Sequence, residues 1–132
     1  MAVISFENYR VLELSYKRKT DIKKTNTINL KPKILNKINI DNSQKRATVR
    51  LGVVIDEEVP FKLKVEIEGT FLYDVKEDPN KIGFKNLLNT NAVAILYPYL
   101  RSLVSSLTGM SNELAQLILP TVNIAQMLKD NK

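Results

Sequence analysis

In "FKLKVEIEGTFLY", residues 61–73, the apolar Phe61, Leu63, Val65, Ile67, Phe71 and Tyr73 alternate with Lys62, Lys64, Glu66, Glu68 and Thr70. A period of two predicts a strand with one face in the core and the other in water. "RATVRLGVVID" (46–56) repeats the pattern with Ala47, Val49, Leu51, Val53 and Ile55 on one side, and the short "DEEVP" (56–60) joins the two as an antiparallel hairpin. "NYRVLELSYKRK" (8–19) also alternates, but its phase changes: Tyr9 and Val11 belong to one series, Leu12, Leu14 and Tyr16 to the next. A bulge or twist would accommodate the shift. "TINLKPKILNKINID" (27–41) alternates through Ile28, Leu30, Pro32 and Ile34, then through Ile38 and Ile40. Because Pro32 has no N–H for a ladder, this strand belongs at an edge or is broken in the middle.

Beyond "YDVKEDPNKIG" (73–83) the period changes. At 100° per residue, Ala92, Val93, Leu96, Tyr97, Leu100, Leu103, Val104 and Leu107 fall within an arc of about 140°. Pro98 lies opposite them with Arg101, Ser102 and Ser105. An interior proline typically costs a helix ~3 kcal/mol. On the wet face, however, water can satisfy the carbonyl of Ala94, and the helix bends around whatever its apolar face covers. Asn91 suits the N-cap and Gly109 the stop; a second, short helix is predicted from about Asn123, after Pro120. Strands followed by helices predict an α+β fold, an antiparallel sheet with helices on one side. The wide apolar arc also suits a partner subunit, although such stripes more often fill a core.

The 132 residues fit one domain, 1–132, with strands over about 3–75 and helices over about 82–130. Cysteine and histidine are both absent, which excludes disulfides, Ser/His and Cys/His nucleophiles and Cys- or His-based metal sites, so an enzyme, a metal site and a cofactor are all unexpected. Asp56, Glu57 and Glu58, and Glu77 with Asp78, sit beside Pro60 and Pro79 and are expected to be solvated turn residues. The first ten residues lack a charged region followed by an apolar run, and the best apolar window, 92–107, is short of the ~20 residues a span needs. Both features point to a cytoplasmic protein without a membrane span. Net charge is +6, but residues 1–50 hold 12 Lys or Arg against 4 Asp or Glu, so the basic character belongs to the first half. "YKRKTDIKK" (16–24) is its densest part. Such a cluster can attract nucleic acid, anionic lipid or an acidic protein, or can simply be lysine guarding a sheet edge.

"ILYPYLRSLVSSLTG" (95–109) followed by "LILPTVNI" (117–124) resembles the SecB-type protein-export chaperones. Tyr97, Pro98 and Tyr99 match an aromatic-Pro-Tyr element of that family's long helix. Leu119, Pro120, Val122, Asn123 and Ile124 match its approach to the second helix, with Thr121 in place of a second proline. "VEIEGTFLY" (65–73) is similar to the family's fourth strand and "LKPKILNKINID" (30–41) to its second. The likeness is specific over residues 91–128 and weak before residue 60.

The resemblance implies a four-stranded antiparallel sheet followed by a long kinked helix and a short C-terminal helix on one face, assembled as a dimer of dimers. It also implies an ATP-independent chaperone that binds unfolded polypeptides, preproteins among them, in apolar grooves. Carried over by position, the groove takes Leu30, Ile34, Ile38 and Ile40 with Ile124, Met127 and Leu128, and the oligomer interface takes Val93, Leu96, Leu100, Leu103, Val104 and Leu107. The same groove positions also suit plain core packing. Glu66 matches an acidic position that docks the translocation motor SecA, but Lys17, Arg18 and Lys19 stand where family members carry acids. Family members also continue in a polar tail, whereas this sequence ends at Lys132. These departures argue against delivery to SecA. Two alternatives remain: a dedicated chaperone of a toxin-antitoxin pair with the antitoxin as partner, and a nucleic-acid-binding protein acting through the basic half.

Overall fold

The computed structural model describes residues 4–19, 32–43, 45–56 and 59–110. Strands β1 (Ile4–Arg18), β2 (Lys33–Ile40), β3 (Arg46–Ile55) and β4 (Phe61–Tyr73) form one antiparallel sheet in the order β1-β4-β3-β2. The β3–β4 hairpin forms as its alternation predicts, and the strand after Pro32 lies at an edge.

On β1 the phase change is resolved by bulges. Its register against β4 shifts between Phe6 and Asn8 and again between Val11 and Glu13, leaving Glu7 and Leu12 as the extra residues. Each extra residue restores the parity. Ile4, Phe6, Tyr9, Val11, Leu14 and Tyr16 consequently share one face with Phe71, Ile67, Val65 and Leu63 of β4. In an unbulged strand Tyr9 and Val11 would have faced opposite to the other four.

A 3₁₀ turn (Val75–Glu77) leads from β4 to a helical segment that starts at Phe84, not at Asn91 as the sequence suggested. Its first turn, α1 (Phe84–Leu87), runs through a π-helical turn (Leu88–Ala92) into α2 (Val93–Met110). The widened turn keeps Phe84, Leu87 and Leu88 on the same side as Ala92, Val93 and Leu96, all of them buried. Within it the Thr90 hydroxyl donates to the carbonyl of Asn86, 3.0 Å away, a back-bond that bends helices. Pro98 and Ala94 lie on the exposed side of α2, where the missing hydrogen bond is tolerable. Gly109 lies inside α2 and does not end it before Met110. The expected second helix falls in 111–132, outside the described residues.

Helix α2 lies on the sheet and touches β1, β3 and β4. Val93, Leu96, Leu100 and Val104 are completely buried there, packed with the strands' apolar face. They were expected at an oligomer interface. The sheet of the same chain already covers them, so this assignment is corrected for all four. Only Leu103 and Leu107 of that set remain half-buried at the flank of the helix.

Gly69 sets the distance between the layers. A Cβ there would stand 2.7 Å from Cδ2 of Leu96 and 3.0 Å from the ring of Phe71. Leu96 is fully buried and has nowhere to go. Gly69→Ala should therefore overpack the interface and destabilise the fold by about 1–3 kcal/mol in chemical denaturation. The same change in a Leu96→Ala background should cost clearly less, a coupling that a double-mutant cycle measures.

Candidate functional site

On the helix-bearing face of β2, Ile34, Ile38 and Ile40 stand opposite Val53, Val49 and Ala47 of β3. The three β3 residues are buried. Ile34, Ile38 and Ile40 pack against that core on one side and are only half covered on the other, with exposed Asn36 between them. The outer edge of β2 has no strand partner among the described residues. The row is thus both apolar and next to open backbone.

At the Ile40 end lies an open cleft of about 550 Å³, lined by Ile40, Asp41, Asn42, Gly83, Phe84, Lys85 and Asn86. One wall is the β2–β3 turn. There Asp41 accepts from the Ser43 hydroxyl at 2.8 Å and from the Arg46 amide at 3.4 Å. The other wall is fixed by Asp78, whose carboxylate accepts from the amides of Ile82 and Gly83, both at 2.9 Å, and from the Tyr73 hydroxyl at 2.8 Å. Tyr73 stacks on Phe84 with centroids 4.9 Å apart. Gly83 has φ +93°, which a side chain would strain.

Asp78 was expected to be a solvated turn residue; it is 4% exposed. Its place five residues before a glycine, within reach of the turn amides of Ile82 and Gly83, was the available signal. The Gly83 and Ile82 amides hold its carboxyl below the usual carboxylate range, and the carboxylate in turn raises the Tyr73 phenol.

Of the other expected groove residues, Leu30, Ile124, Met127 and Leu128 lie outside the described residues. The expected docking residues do not come together as one cluster. Lys17 and Glu66 lie on the sheet face away from the helix, Arg18 is level with Phe61 on the helix-bearing face, and Lys19 pairs with Asp56 at 2.8 Å. On the open face Glu68 stands in register with Arg10 of β1 and Arg50 of β3. Arg50 donates to it at 2.9 Å and Arg10 at 2.7 Å; the two guanidiniums hold its carboxyl low although the side chain is only 7% exposed. A wet-face reading of β4 missed this burial. A second incompletely covered apolar strip, also missed, follows β1: Val11 is 44% and Leu14 46% exposed, and Tyr99 of α2 packs on Tyr9 and Phe6 beside them.

Among the described residues no three His, Cys, Asp or Glu side chains gather as metal ligands, and no helix is long and apolar enough to cross a membrane.

The architecture has solved counterparts. The Mycobacterium tuberculosis SecB-like chaperone Rv1957, in complex with a ChAD peptide from the Rv1956 HigA1 antitoxin, superposes with a TM-score of 0.72, covering 90% of each chain at 20% identity. The chain has a SecB-like fold. A Streptococcus agalactiae protein of unknown function shares it less closely, at TM-score 0.53 and 13% identity over 89% of this chain and 97% of that one. In sequence, the uncharacterized protein MJ0357 of Methanocaldococcus jannaschii is 38% identical over 69 residues, 52% of this chain and 42% of its own length. No family model matches the sequence.

Because Asp78 titrates low in the fold, the stability it contributes is present above the ordinary carboxylate pKa of about 4 and is lost as pH falls through its depressed value. Asp78→Asn should therefore melt several degrees below the parent protein at pH 7, with the gap narrowing as pH drops below about 4. Melting curves across that range check it.

Proposed function

We propose that this protein is an ATP-independent chaperone that holds non-native polypeptide along the outer edge of β2. The observation that carries this reading is the row of Ile34, Ile38 and Ile40, half covered on a strand with an open edge. An extended client can pair its main chain with that edge and set alternate side chains against the isoleucines. The driving force is about 25 cal/mol per Å² of apolar surface removed from water. Each contact is weak and tolerant of sequence, and several along one client add up by multivalency.

The SecB-like fold supports this use, and so does the antitoxin peptide bound to Rv1957. That peptide favours service to an antitoxin over a general role in preprotein export. Delivery to SecA fits poorly with the lysines on the open sheet face. In the same reading a second copy of the chain covers the strip of Val11, Leu14, Tyr99 and Leu103, the step toward a dimer or a dimer of dimers. It acts in place of Val93, Leu96, Leu100 and Val104.

The test is light scattering coupled to size exclusion, with a permanently unfolded polypeptide and the same polypeptide folded as control. A complex with the unfolded form alone is expected. Ile34→Thr with Ile38→Thr keeps β-branched side chains and should weaken capture by about tenfold or more, with the circular dichroism unchanged. Equal binding of folded and unfolded polypeptide, or full binding by the double variant, would exclude the reading. Separately, Val11→Thr with Leu14→Thr should lower the mass of the assembly.

A further inference from the structure

The sheet face turned away from α2 concentrates lysine at one end. In the β1–β4 register Lys17 stands directly opposite Lys62, and Lys64 is the next outward residue on β4. Val54 of β3 lies between Lys64 and Lys33 of β2, and Lys19 closes the strand end through its pair with Asp56. Among the described residues, Asp56 pairs with Lys19, Glu13 stands 3.4 Å from Lys64, and Glu66 stands opposite Glu13. Lys17 and Lys62 make no ion pair among the described residues.

Neither bland explanation accounts for this arrangement. Like charges directly opposite each other destabilise a sheet, so the fold gains nothing from the Lys17–Lys62 pair. Lysine on an edge strand prevents edge-to-edge pairing, which suits Lys17 on β1 and Lys33 on β2, but Lys62 and Lys64 lie on β4, which is interior. The Asp56 carboxyl is held low by Lys19, with smaller effects from Lys62 and Lys33, as expected of a shared positive field.

We infer that this lysine patch is a docking surface for an acidic segment of a partner protein, on the sheet face opposite the isoleucine row of β2. Charge complementarity names the ligand chemistry. Two features favour a polypeptide over nucleic acid. The sheet's aromatic residues, Phe6, Tyr9, Tyr16, Phe61, Phe71 and Tyr73, all lie on the helix-bearing face, so the patch offers bases nothing to stack on. Val54 and exposed Leu35 add apolar area that suits a protein surface.

The probe is a fluorescent 15-residue oligoglutamate titrated into the intact protein, alongside a single-stranded oligonucleotide of equal charge, with anisotropy as readout. Oligoglutamate should bind in a salt-dependent manner. Lys17→Gln with Lys62→Gln should weaken it about tenfold, while Lys45→Gln with Lys76→Gln, an equal loss of charge away from the patch, should leave it nearly unchanged. Capture of unfolded polypeptide should be the same in both variants, which separates this inference from the client-edge proposal. No oligoglutamate binding, or equal weakening in both variants, would overturn the inference. So would tighter oligonucleotide binding that depends on Lys17 and Lys62, since the patch would then read phosphates.

Discussion

Among the described residues, one long helix covers a sheet that is wider than itself. Four strands spaced about 4.8 Å apart make a layer roughly 19 Å across, whereas a helix with its side chains spans about 10–12 Å. Helix α2 sits over the middle, with Leu96 seated on Gly69, and its contacts reach β3, β4 and β1. Among the described residues, the two margins of the apolar face are incompletely covered. Ile34, Ile38 and Ile40 form one margin and Val11 with Leu14 the other. The proposed client edge and the proposed contact between copies both follow from this mismatch.

The two sheet faces then carry different chemistry. The helix side is predominantly apolar, and the two bulges that return β1 to phase serve its burial. The open side is ionic, organised around Glu68 between Arg10 and Arg50, with the lysines gathered beyond Glu13. The SecB-type resemblance implied carboxylates for docking on that side. In this chain that side carries Lys17, Lys62 and Lys64 as well as Glu13 and Glu66.

Strand alternation made the sheet legible, because a period of two states directly which side of β3 and β4 is buried. The phase change at Val11 and Leu12 even marked the second bulge. The apolar stripe of α2 was legible as a stripe, but its partner was not. Burial of Leu96 and Leu100 by the same chain and burial by another copy give the same periodicity. The helix start was misplaced because Asn91 resembles a cap, whereas the apolar series continues backward only through a π-helical turn that breaks the 3.6-residue count. Asp78 and Glu68 were misjudged for different reasons: Asp78 is buried by the local amides of Ile82 and Gly83, a turn signal that was overlooked, whereas Glu68 is buried by Arg50 and Arg10 brought from neighbouring strands. The groove residues Leu30, Ile124, Met127 and Leu128 lie outside the described residues, and the proposal rests on Ile34, Ile38 and Ile40.

The most direct test of the account is hydrogen–deuterium exchange of the protein with and without a saturating unfolded polypeptide. A client seated on the open edge should slow exchange along Lys33–Ile40, with little change in the interior strands β3 and β4. Binding that leaves β2 exchanging as before would contradict the account.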